Sequence, residues 1–178
     1  MRMLTRIKLA ATVVVVSWSI SLAACAAMFD SGPKDIHVTS VTDVDDKDQT
    51  QFDDVSPPPR PSLIISRIDF TTNTDLLALA KKRDYNVTFA VGPCSKNGVK
   101  DDGTSYGGVY WGQLRIYSDT KDDRGYAAAV AKGPPFTYQA YIKRKQPSDV
   151  QGARCFTLAG GSMLGGKLRS NDAILPAH

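Results

Sequence analysis

The segment YNVTFAV, Tyr85 to Val91, alternates without a break: Tyr85, Val87, Phe89 and Val91 fall on one side, Asn86, Thr88 and Ala90 on the other. A period of two with apolar residues on a single side specifies a half-buried strand, because successive side chains of an extended chain point to opposite faces. The same pattern extends outward in both directions. LIISRIDF (63–70) sets Ile64, Ile68 and Phe70 together, and FTYQAYIK (136–143) aligns Phe136, Tyr138, Ala140 and Ile142. VYWGQLRIYS (109–118), read as one strand, opposes Tyr110, Leu114 and Ile116 to Trp111, Gln113, Arg115 and Tyr117. RCFTL (154–158) and MLGGKLRS (163–170) complete six strands with Phe156, Leu158, Leu164 and Leu168.

Composition agrees. All 18 acidic residues are Asp and none is Glu, so the chain lacks the acidic residue that favours helices and pairs with Lys at i,i+4. NTDLLALAKKRD (73–84) offers about two turns of helix with Asn73 or Thr74 as N-cap. The expectation is a mostly β protein: a small antiparallel β-sandwich over residues 63–178 with at most one short helix and one disulfide, a closed barrel remaining open as the alternative.

The chain begins with Arg2, Arg6 and Lys8, followed by an apolar run from Leu9 to Ile20 that is short for a membrane span. That is the build of a secretory signal, assigned to residues 1–24. The signal ends in Leu22-Ala23-Ala24-Cys25, which resembles the lipobox of bacterial lipoproteins. The resemblance implies cleavage before Cys25 and fatty acylation of that residue. Ala26, standing where an inner-membrane retention Asp would stand, implies the outer membrane of a Gram-negative cell, with the protein on its periplasmic face. Acyl chains at about 0.8 kcal/mol per buried methylene make such an anchor permanent.

Cleavage removes three of the 22 basic residues (Arg2, Arg6, Lys8) and leaves 19 against 18 acidic. A balanced mature surface points away from nucleic acid. With Cys25 committed to lipid, Cys94 and Cys155 remain in an oxidising envelope and are expected to pair. Closing their loop stabilises the fold by about 4 kcal/mol in the chain-entropy model. Residues 25–62, lipidated Cys followed by an Asp/Pro-rich run with DVDDKDQTQFDD and SPPPRPS, read as a disordered tether with a mean reach of about 33 Å. DIHVTSV (35–41) within it keeps the alternative of a strand that joins the sheet. Asp43 and Asp45 start a calcium-loop pattern that Lys47 and the missing Gly and Glu break, and DTKDDRG (119–125) fails similarly and reads as a turn.

GGSMLGGK (160–167) approaches the phosphate-binding loop G-x-x-x-x-G-K-[ST], but Leu168 stands where the magnesium-binding hydroxyl belongs and no helix pattern follows. Gly160-Gly161 reads instead as a hairpin turn and Gly165-Gly166 as a bulge in the last strand. No nucleotide, metal or cofactor is expected. Only two histidines occur, His37 in the tether and His178 at the end, and no nucleophile elbow is present. Adjacent carboxylates such as Asp101-Asp102 or Asp122-Asp123 on turns do not form an acid/base couple. The chain is expected not to be an enzyme.

What remains is a contact surface. With the second faces of their strands turned outward, Trp111, Arg115, Tyr117 and Tyr141 present the residue types that dominate binding energy at protein interfaces. CFTLAGGSMLGGKLRSNDAILP (155–176) resembles the end of small outer-membrane lipoproteins that act as immunity proteins against phospholipase effectors of type VI secretion. The resemblance implies a domain that binds a delivered toxic enzyme and occludes it. The alternative is a structural or assembly lipoprotein of an envelope or secretion complex.

Overall fold

A computed structural model describes residues 32–44, 64–96, 98–99, 105–144, 153–162 and 166–176. The elements run β1 (His37–Val44), β2 (Ile64–Thr72), α1 (Leu76–Arg83), β3 (Asn86–Pro93), β4 (Ser105–Trp111), β5 (Leu114–Arg115), α2 (Arg124–Val130), β6 (Phe136–Arg144), β7 (Arg154–Gly161), β8 (Lys167–Arg169) and β9 (Ala173–Ile174). They build two antiparallel sheets, a first in the order β1-β2-β6-β4-β5 and a second in the order β3-β7-β8, with β9 also pairing β7. The fold is mostly antiparallel β with sandwich-like packing, as the alternation predicts.

The two inner faces meet through aromatic rings. Phe70 of the first sheet lies 5.0 Å from Phe156 of the second, Phe156 lies 5.7 Å from Phe89, and Tyr138 lies 5.8 Å from Phe70. Val87, Val91, Ile68, Ile116 and Leu158 fill the space between, all fully buried. Burial of each such side chain contributes about 1.5–3 kcal/mol, so the core outweighs every surface contact. The sandwich is joined at both seams: Asn86 bridges to Tyr117 on one side. On the other, the Asn171 side chain accepts from Ile36 N–H at 2.8 Å and donates to the Ile36 carbonyl at 3.0 Å. Cys94 and Cys155 form the expected disulfide, Cα–Cα 5.0 Å, between the ends of the paired strands β3 and β7.

Several features depart from the sequence reading. Residues 37–44 are not tether: they form β1 at the edge of the first sheet, with Ile36 and Val38 buried, so the folded unit starts well before residue 63. Residues 25–31 and 45–63 lie outside the described residues. A second helix, α2, begins inside the 119–125 segment read as a turn, with Arg124 and Gly125 already helical, and the Asp123 carboxylate accepts from Tyr126 N–H at 2.8 Å and caps it. The N-cap of α1 is Asp75, not Asn73 or Thr74, since its carboxylate accepts from Ala78 N–H at 3.0 Å. Gly160 and Gly161 belong to β7, paired with Val87 and Asn86, and the chain reverses further on, where Ser162 N–H donates to the Gly166 carbonyl. Gly160 is required because a β-carbon there would overlap the Asn86 carbonyl. Gly166 sits at the end of that reversal rather than at a bulge, and Gly165 is outside the described residues.

Candidate functional site

The reading of VYWGQLRIYS as one strand fails at Gly112. Gly112, with φ +57°, and Gln113 make a two-residue turn, held by Gly112 N–H donating to the Gln139 side chain at 2.9 Å. The turn pairs Trp111 with Leu114 and Tyr110 with Arg115. Cross-strand partners share a face, so the hairpin inverts the parity of everything after it relative to a continuous strand. Trp111 therefore turns inward with Val109 and packs edge-on against Tyr126 at 5.3 Å. Tyr110 turns outward instead, beside Arg115.

The outer face of the first sheet thus carries three of the four residues singled out for contact. Tyr141 meets Tyr110 edge-to-face at 5.8 Å, and the Arg115 guanidinium lies 5.8 Å from the Tyr117 ring centre. Gly108 makes room for that arginine: a β-carbon at Gly108 would stand 2.8 Å from Arg115 Nε. Arg115 and Tyr141 are half-buried, Tyr117 is exposed and Tyr110 is buried. The other half of the face is polar. The Asp69 carboxylate accepts from Ser40 Oγ at 2.8 Å and from Arg67 Nε at 3.1 Å. Aromatic rings and a stacked guanidinium beside a hydrogen-bonding row suit a protein surface with apolar and acidic parts. Trp111 is not on this face.

A second polar cluster is internal. The Tyr138 hydroxyl accepts from Leu76 N–H at 3.0 Å, the Tyr126 and Tyr138 hydroxyls are 2.8 Å apart, and Tyr126 donates to Asp75 Oδ1 at 2.6 Å. With the Tyr126 proton committed to Asp75, Tyr138 must donate to Tyr126, so the bonds run in one direction and satisfy the amino end of α1. Burial pushes the Tyr138 hydroxyl up to about 12, and burial with the Asp75 hydrogen bond raises Tyr126 further still. This cluster tethers α1, α2 and β6 and has a structural role.

Its titration has a definite sign. A tyrosine whose folded pKa lies above its unfolded value of 10.0 stabilises fully below pH 10, and the contribution is lost as pH rises toward 12. Tyr138→Phe should cost about 2 kcal/mol at pH 8 by leaving Leu76 N–H without its acceptor. Urea midpoints at pH 8, 10 and 11 should fall less steeply for the variant than for the parent.

The remaining acidic residues have separate tasks. Asp122 forms an ion pair with Lys81, which holds its carboxyl below the usual range, while Asp123 caps α2. Burial raises the Asp35 carboxyl, but hydrogen bonds from Asn73 N–H and the Thr72 hydroxyl outweigh it and lower the pKa. Asp101, Asp102, His178 and Cys25 lie outside the described residues. Among the described residues no group of three or more His, Cys or Asp side chains is arranged to hold a metal ion, and no helix is long and apolar enough to cross a membrane. Lys167 lies in β8 and is followed by strand β9, so among the described residues no helix begins after it.

Fold and face define a disulfide-linked antiparallel sandwich with an aromatic and cationic outer sheet. No family model, curated protein or solved structure matches the chain.

Proposed function

We propose that this chain is an outer-membrane-anchored periplasmic lipoprotein that binds a protein partner without chemistry of its own, as an immunity protein against a delivered toxic effector such as a phospholipase. The observation that carries the reading is the cluster of Tyr141, Tyr110, Arg115 and Tyr117 on one sheet face. Tyr and Arg anchors of this kind supply most of the energy in protein interfaces. The lipobox-like Leu22-Ala23-Ala24-Cys25 supports the location, and the C-terminal resemblance supports the class of partner.

The test is protection. On this reading a neighbouring gene should encode a lipolytic enzyme; cells that direct that enzyme to their periplasm should lyse, and co-production of the chain should prevent lysis. Arg115→Ala with Tyr141→Ala should abolish protection, with binding weakened at least 100-fold, while folded stability changes by about 1 kcal/mol or less. Full protection by the double variant would refute the face. Absence of protection by the parent, together with its recovery in an envelope secretion complex, would support the assembly role.

A further inference from the structure

Anchoring and fold together select which side of the domain meets lipid. Gly32 is already fixed in the fold: its backbone packs so closely on Arg169 that a β-carbon would overlap the Arg169 carbonyl. Beside it Asn171 N–H donates to the Pro33 carbonyl at 3.3 Å, and Lys34 Nζ donates to the Arg169 carbonyl at 3.2 Å. Gly32 is seven residues from Cys25. Seven residues span at most about 25 Å even fully extended. A domain of this length is about 40 Å across, so the stalk is shorter than the body it carries. The side where Gly32 emerges is therefore held near the membrane.

We propose that the outer face of the second sheet, with Lys34, Lys96, Lys167, Arg169 and Ile174 on and around it, rests on an anionic phospholipid surface. This inference depends on the anchor at Cys25 and fixes the orientation that the proposed function requires. Along β8, Leu168 is buried while Lys167 and Arg169 are exposed on the opposite side, across from Gly161 and Ala159. Those neighbours are small, and the Arg169 guanidinium lies against Gly98, two residues after Lys96. On β9 Ala173 enters the core and Ile174 points outward, 70% exposed. Lys34 and Lys96 are also exposed. Asp172 pairs with Arg169 at 3.7 Å, and the exposed side chains of Lys34, Lys96 and Lys167 add positive charge on the same side.

Lysines around one exposed aliphatic side chain match the headgroup layer, where the stems lie along apolar surface and the ammonium groups meet phosphate. Each basic residue held there strengthens attraction about five-fold. In a sandwich the two outer faces point in opposite directions, so seating the second sheet on lipid directs Tyr141, Arg115 and Tyr117 toward the periplasm.

The test is a lysine footprint of the mature acylated protein in vesicles of phosphatylethanolamine and phosphatidylglycerol at about 3:1, compared with detergent micelles, each lysine read by peptide mass spectrometry. Lys34, Lys96 and Lys167 should be acetylated several-fold more slowly in vesicles, with Lys82 and Lys132 unchanged. Inserting 30 Gly/Ser residues after Ala27, or Lys96→Glu with Lys167→Glu, should relieve the protection of Lys34. Uniform labelling of a chain whose intact mass includes the acyl groups would overturn the orientation while leaving the anchor standing. An intact mass showing unmodified Cys25 would overturn the anchor and the orientation with it.

Discussion

Phe156→Ala should destabilise the domain by about 4 kcal/mol, read as a lowered urea midpoint with unchanged slope. Phe156 is fully buried and touches both Phe70 across the sandwich and Phe89 within its own sheet. Its removal leaves a cavity between two sheets whose backbones are fixed by their own ladders, so the site cannot collapse to fill it. Phe156→Leu keeps most of the volume and should cost less than half as much. Equal losses for the two substitutions would mean that ring packing is not what joins the layers.

Replacing Cys94 and Cys155 together by Ser should cost a similar amount. The bond closes a separation of 61 residues, and the chain-entropy model gives about 4 kcal/mol for a loop of that length. It joins strands β3 and β7, which are already neighbours in the second sheet, so its removal acts chiefly on the unfolded chain. For a domain of this size the melting temperature should fall by roughly 15 °C. A reductant should reproduce the loss in the parent and leave the Ser variant unchanged. A drop of only a degree or two would place the stability elsewhere.

Where the chain obeys simple periodicity, the fold was legible from residue types alone. Tyr85, Val87, Phe89 and Val91 are all buried, and Tyr138, Ala140 and Ile142 line the same interior. The exceptions have local causes. In β1, Val38 and Val41 are three residues apart, and a bulge between Val38 and Ser40 restores their common face, so no period of two marks the strand. Its acidic and hydroxyl residues, which suggest a tether, are used in pairing: Asp43 accepts from the buried Ser66 at 2.6 Å. α2 is short, with Gly125 in its first turn, and its one signal is Asp123 ahead of an Ala run. Arg115, Tyr117 and Tyr141 share the outer face and Trp111 does not, because a two-residue turn reverses the parity between Trp111 and the residues after it. Gly112 was the available sign of that turn.

The position of Trp111 also separates packing from recognition. Its ring rests on Tyr126, which holds the polar cluster at α1, whereas Arg115 and Tyr141 face outward. The proposed partner contact therefore falls to the outward pair, and Trp111 belongs to the core.

Everything proposed about location and partner depends on the state of Cys25. The direct measurement is mass spectrometry of the amino-terminal peptide of the protein extracted from envelope membranes. The account predicts a peptide that begins at Cys25 and carries fatty acid on that residue; a peptide that retains the preceding residues, or a Cys25 with a free thiol, would contradict it.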